Sequence, residues 1–179
     1  MTPTDPDDDP SRTAADRAIR AERANRADPT TDGGRSTTRP RVAFVCVQNA
    51  GRSQMATAFA ERERERRGLR IEVVTGGTDP ADGVHPNVVE TMAEVGIDLT
   101  GREPRAVTPE ELRDCTHVVT MGCDAGEVCP ATWGGESRDW GLEDPHGKPP
   151  AETAAIRDEI DRRVAALFDE FADDPTRAD

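Results

Sequence analysis

The sequence predicts an α/β domain built on a parallel sheet, and three observations predict it. Short apolar runs at 42–47, 71–75 and 118–121 do not alternate with polar residues, as expected of strands buried on both faces. Segments with 3.6-residue apolar periodicity lie between and after them. Strand and helix alternate along the chain, an order that closes by right-handed crossovers.

Each element has a local signature. Residues 1–39 hold no large apolar residue beyond Met1 and Ile19 and are rich in Pro, Asp, Thr, Ala and Arg, so a disordered, acidic, Arg-containing extension is expected there. Arg17, Arg20, Arg23 and Arg26 recur every three residues, a spacing that permits a transient basic helix over 12–27. The domain is assigned to 40–174 and a short tail to 175–179. The first strand, 42–47, is followed by a predicted helix over 53–67, led by Ser53, with Met55 and Phe59 four apart on its inner face. Its charged second half, residues 61–67, reads as a solvated face with an i,i+4 pair Glu63–Arg67 and a stop at Gly68. A second strand at 71–75 runs into a Gly- and Pro-rich loop. Pro86 opens a helix carrying Val88, Val89, Met92 and Val95, which Gly96 closes. Thr108-Pro109-Glu110-Glu111 is a capping box with Pro at the first helical position. A third strand follows at 118–121 and a short fourth is expected over 138–142. The last helix, 151–171, places Ile156, Ile160, Val164, Leu167, Phe168 and Phe171 on one face.

The 179 residues suffice for one core plus appendages. The net charge is −13, and Lys148 is the single lysine among 23 basic residues. An acidic, lysine-poor surface is that of a protein from a salt-rich cytoplasm, and it argues against a general nucleic-acid binder. No apolar run is long enough for a membrane span, and the Asp-rich N-terminus lacks a secretory signal, so a cytoplasmic monomer is expected. Four cysteines in such a chain point to catalytic, redox or metal chemistry rather than a disulfide framework.

The chemistry centres on Cys46-Val47-Gln48-Asn49-Ala50-Gly51-Arg52-Ser53. Between a strand and a helix, these residues wrap backbone N–H groups around one point, and the helix N-terminus adds roughly half a positive charge there. A tetrahedral oxyanion would meet N–H donors, the bidentate Arg52 guanidinium and the Cys46 thiol. The same field favours thiolate, which makes Cys46 a candidate nucleophile. Ligands of open α/β sheets bind beyond the carboxyl ends of the strands, so Cys46, Gly122, Cys123 and Asp144 should converge on one edge. A zinc site built from Cys115, Cys123, Cys129, His117 and His146 is disfavoured by the lack of a paired Cys-x2-Cys spacing, and Cys115 reads as core.

These blocks, taken in order, resemble the low-molecular-weight protein tyrosine phosphatase family and, within it, the arsenate reductase branch. The anion loop fits the family's Cys-x5-Arg-Ser, and Gln54-Met55-Ala56 resembles the reductases. Thr75-Gly76-Gly77-Thr78, Val84-His85-Pro86, residues 94–99, residues 118–123, Cys129-Pro130 and Trp140-Gly141-Leu142-Glu143-Asp144-Pro145 fit as well. The resemblance implies three layers, with a four-stranded parallel sheet between helices. It implies that Cys46 attacks arsenic or phosphorus, Arg52 holds the equatorial oxygens, Asn49 braces the loop, Ser53 supports the thiolate and Asp144 protonates the leaving oxygen. It also implies that a reductase needs a second thiol, for which Cys123 and Cys129 are the candidates. Here the chain departs from the thioredoxin-linked pattern: the spacing is one residue shorter, with Gly122 where the first cysteine would align. The final reductant, thioredoxin, a glutaredoxin-like protein or a low-molecular-weight thiol, stays open, and no tightly bound cofactor is expected. After Asp144-Pro145 the sequence has His146-Gly147-Lys148 instead of aromatics, and it contains no Tyr, which argues against an aryl phosphate. The leading expectation is therefore arsenate reduction. A phosphatase acting on a small phosphoester is the alternative, and a non-enzymatic oxyanion or redox sensor is a third reading.

Overall fold

In the computed structural model, which describes residues 39–173, the apolar run after Pro40 becomes β1 (Arg41–Cys46), the centre of the sheet. It is followed by α1 (Arg52–Arg67), β2 (Glu72–Gly77), α2 (Pro86–Glu94), α3 (Pro109–Arg113), β3 (His117–Met121), α4 (Ala125–Val128), β4 (Glu136–Asp139) and α5 (Pro150–Asp173). All strand pairs are parallel, in the order β2-β1-β3-β4. The extension expected over 1–39, its helix over 12–27 and the tail over 175–179 lie outside the described residues, Arg39 excepted.

Both faces of the sheet are covered, which is why the strands carry no polar alternation. Val42, Phe44, Val119 and Met121 point into one apolar layer with Met55, Phe59, Val88, Met92 and the inner face of α5. Ala43, Val45, Val74 and Val118 point into a smaller layer with Leu112, Cys115 and Val128. All six apolar positions expected on the last helix are buried. Burial of this kind contributes roughly 25 cal/mol per Å² of apolar surface removed from water.

Caps follow the local signatures. Pro86 is the first residue of α2. Thr108 and Glu111 form the reciprocal capping box of α3. Gly68 ends α1 in the left-handed region.

Four expectations are corrected. α1 begins at Arg52, and Ser53 makes no capping bond because its hydroxyl is committed to the site below. The charged half of α1 is not wholly solvated: Glu63 is 3% exposed and is held by Arg66 at 2.5 Å and Arg67 at 2.8 Å. The fourth strand is Glu136–Asp139, not 138–142. It is a polar edge strand, so the apolar Trp140 and Leu142 that suggested it lie just past its end, with Trp140 packed against Phe44. The loop expected to carry Cys123 and Cys129 contains one turn of helix, α4, capped by Asp124 through Gly126 N.

From the carboxyl end of β1 the chain crosses to β2 on one side, and from the carboxyl end of the adjacent β3 it crosses to β4 on the other. Such a switch point is where open α/β sheets bind ligands, and Cys46 stands at it. Among the described residues no helix is long and apolar enough to cross a membrane, and no group of three or more His, Cys, Asp or Glu side chains is arranged for a metal ion.

Candidate active site

The loop from Cys46 to Ser53 is shaped by one residue in an uncommon conformation. Asn49 has φ +51°, in the left-handed region that Asn tolerates better than most residues. This turn brings Asn49 N–H to 3.2 Å from Cys46 Sγ. The Asn49 side chain then braces the loop from inside. Its Nδ2 donates to Ser53 Oγ and to Thr75 Oγ1, each at 2.8 Å, and its Oδ1 accepts from Arg105 N at 3.0 Å and Gln54 Nε2 at 3.2 Å. Gln54 Nε2 also donates to Asn49 O. Ser53 Oγ lies 2.9 Å from Cys46 Sγ. With its oxygen accepting from Asn49, its proton can point at the sulfur, so two donors are aimed at a buried Cys46.

Arg52 is buried at the far lip. Its Nη1 donates to Leu142 O at 2.8 Å and its Nη2 lies 3.4 Å from Asp144 Oδ2. The half-exposed Asp144 thus stands beside the guanidinium, and His146 N–H donates to its Oδ1 at 3.0 Å. This acid loop is tied down from three directions. Pro145 O accepts from Asn87 Nδ2 at 2.7 Å. Pro145 also rides over Gly51, where a Cβ would sit 2.9 Å from Pro145 Cγ. Lys148 bridges Glu143 and Glu152, each at 3.0 Å.

A second thiol lies near the end of β1. Cys123 follows β3, and its Sγ reaches Val45 O, the residue before Cys46, at 3.6 Å. Burial pushes the Cys123 thiol up; among smaller influences Cys46 also raises it and Arg52 lowers it, so both are within electrostatic reach. The preceding Gly122 has φ +83°, and a Cβ on it would lie 2.6 Å from Arg52 Nη1. A side chain at 122 would therefore collide with the Arg52 guanidinium as it stands in this structure. Cys129, at the end of α4, packs against the second layer as Cys123 does, and burial raises its thiol too. Cys115 is core, bonded to Glu111 O, and pushed up to about 11 by burial.

Of the residues expected to converge, the structure brings Arg52 and Asp144 together beside the Cys46-to-Ser53 loop and sets the Cys123 sulfur against the Val45 carbonyl. Sequence reasoning missed the bracing by Gln54, Thr75 and the Arg105 backbone, and the position of His85, whose Nε2 lies 3.1 Å from Gln48 Oε1. No local spacing marks these partners. Both tryptophans are tied up elsewhere: Trp140 is buried and Trp133 donates to Cys115 O. The space beside the anion loop is bordered by His85 and His146 rather than aromatic carbocycles.

Comparison with known proteins agrees with this geometry. The family model described as low molecular weight phosphotyrosine protein phosphatase matches residues 41–177. A Halobacterium salinarum protein named "Putative arsenate reductase" is 56% identical over 133 residues, covering 73% of this chain and 92% of the relative. The structure of a Corynebacterium glutamicum thioredoxin-dependent arsenate reductase superposes with TM-score 0.61 at 36% identity; it covers 75% of this chain, which spans 63% of the length of that one. An arsenate reductase solved in its phosphate-binding state superposes with TM-score 0.62 at 32% identity, covering 73% and 98% of the two chains.

Proposed function

The chain belongs to the low molecular weight phosphotyrosine protein phosphatase family, and we propose that within it the protein reduces arsenate to arsenite. The observation that carries this reading is the second thiol, Cys123, set against the carboxyl end of β1 beside Cys46. A hydrolytic cycle has no use for it; a reductive one can use it, or an external small thiol, to attack the Cys46 sulfur.

In the proposed cycle the loop N–H groups and Arg52 hold arsenate over Cys46, and a phosphate-binding relative supports an oxyanion there. Cys46 thiolate attacks arsenic while Asp144 gives a proton to the departing oxygen, which leaves as water. Cys123, as thiolate, then attacks Cys46 sulfur. The sulfur–arsenic bond breaks, its electron pair stays on arsenic, and arsenic(V) becomes arsenite as a Cys46–Cys123 disulfide forms. Cys129 attacks Cys123, frees Cys46 and leaves a Cys123–Cys129 disulfide for an external two-electron thiol reductant. A thioredoxin-type protein is favoured by the thioredoxin-dependent relative, with a low-molecular-weight thiol as the other source. Four cysteines unpaired in the structure suit a reducing cytoplasm. The acidic, lysine-poor composition, together with the Halobacterium salinarum relative, identifies a halophilic chain.

The test is arsenite production from arsenate by purified protein supplied with thioredoxin, thioredoxin reductase and NADPH, or with a small thiol. Cys46→Ser should abolish it, and Cys123→Ser should stop after one covalent step. Failure to form arsenite with any reductant would overturn the reading. The anion loop with Asp144 also suffices for a phosphatase, and phosphoester turnover that survives Cys123→Ser would favour that alternative.

A further inference from the structure

Two of the chain's three histidines meet at the edge of the site, 61 residues apart in sequence. The rings of His85 and His146 pack edge to face with centroids 4.2 Å apart. His146 Nδ1 lies 3.1 Å from His85 Nδ1 and 3.2 Å from its Nε2. On its other side His85 Nε2 meets Gln48 Oε1 at 3.1 Å. An amide oxygen only accepts, so Nε2 of His85 carries the proton and donates. Nδ1 of neutral His85 is then an acceptor, and it is the nearer of the two ring nitrogens to His146 Nδ1, which can donate to it in its Nδ1–H tautomer. His85 is also fixed by its own backbone, whose N–H donates to Ala50 O at 2.9 Å.

This histidine therefore touches both halves of the site. Gln48 and Ala50 belong to the anion loop. His146 belongs to the acid loop, where its N–H holds the Asp144 carboxylate. We infer that His85 is a positioning residue that sets the Asp144 loop against the anion loop through Gln48 and His146, and does so only while its ring is neutral. Protonation would place a hydrogen on Nδ1 where His146 Nδ1–H already points, leaving two donors face to face.

The surroundings keep the ring neutral near pH 7. Burial first, and His146 next, hold His85 below the ordinary histidine value, while the Asp144 carboxylate pulls the other way. The charged or titratable groups around it are His146 and Asp144 of the acid loop and, beyond Asp144, Arg52; Gln48 and Asn87 carry no charge. Because the folded-state value is lowered, the contact is present above it and is lost as pH falls through it.

The inference rests on the reading of Asp144 as the acid, and its test separates the two. Profiles of kcat and KM against pH are measured on the full chain for wild type, His85→Gln and His85→Leu, with arsenate and, in parallel, with phenyl phosphate, whose leaving group also needs a proton. Gln is uncharged, accepts through Oε1 and donates through Nε2, so His85→Gln should keep kcat within about threefold near neutrality and lose the histidine-dependent acid limb. His85→Leu keeps apolar volume without the bonds and should lower kcat by about 10- to 100-fold with KM changed less than threefold. Ring nitrogen NMR of the resting protein reads the pair without turnover: His146→Gln should shift the His85 titration upward, because His146 is one of the groups that lowers it. An acid limb retained in His85→Gln, an unchanged kcat in His85→Leu, or a His85 titration indifferent to His146→Gln would each overturn the inference. Absence of arsenate turnover alone, with these effects seen on phenyl phosphate, would overturn only the reductase reading.

Discussion

Replacing Gly122 with Ala tests the construction of the site at one atom. Gly122 has φ +83°, so any L-residue there carries left-handed strain of about 1–2 kcal/mol. The added Cβ would stand 2.6 Å from Arg52 Nη1, 3.0 Å from Nη2 and 3.1 Å from Cζ. A relaxed contact is about 3.5 Å, so the guanidinium must retreat by roughly 0.9 Å. That motion stretches the 2.8 Å bond from Nη1 to Leu142 O past hydrogen-bond range. A bond from a charged donor is worth about 1.5–3 kcal/mol. The expected total loss in urea unfolding is therefore about 2.5–5 kcal/mol. Phosphate affinity, read by calorimetry, should fall at least about tenfold because the bidentate donor has left its place. Gly96→Ala supplies the control, since Gly96 has φ +78° and open space around its Cβ position. It should show the backbone strain alone, with phosphate affinity unchanged. Equal phosphate affinity in the two variants would refute the argument that Gly122 exists to admit Arg52.

Three further outcomes are expected. Asn49→Ala removes the brace to Ser53, Thr75 and Arg105 at a left-handed position and should cost about 2–4 kcal/mol of stability; a loss below 1 kcal/mol in thermal unfolding would contradict it. Glu63 is desolvated by burial, but its bonds to Arg66 and Arg67 win and hold its carboxyl below the ordinary 4.5. Its contribution is thus present above that value and lost as pH falls below it, so stability should drop less steeply below pH 4.5 in Glu63→Gln than in wild type. Alkylation of the native protein followed by mass spectrometry should leave Cys115 unmodified longest, because burial holds its thiol at about 11; early labelling of Cys115 would refute its core placement.

Much of the molecule was legible because the signals are local. Helix caps at Pro86 and Thr108, the stop at Gly68 and the buried face from Ile156 to Phe171 depend on residues within one or two turns of each other. β4 was misplaced for the complementary reason: an edge strand faces solvent, so its residues carry no apolar run, and the nearest apolar side chains serve the core beyond it. The spacing starts the helix at Ser53, but it begins at Arg52, and the Ser53 hydroxyl lies 2.9 Å from the Cys46 sulfur.

The sequence by itself determined the alternation of strand and helix, the Cys46-to-Ser53 cradle and the chemistry its residues can perform, because spacing along a chain fixes periodicity and turn geometry. The tertiary structure alone decided which distant groups complete it. Thr75, Arg105, Asp144 and the His85–His146 pair reach the loop because the order β2-β1-β3-β4 gathers the strand ends around Cys46. The step from Gly122 to Cys123 was visible as a one-residue departure, but the close approach of Gly122 to an arginine 70 residues earlier was not. Contacts across crossovers leave no periodic trace in the chain, so their physical reason appears only when the sheet closes.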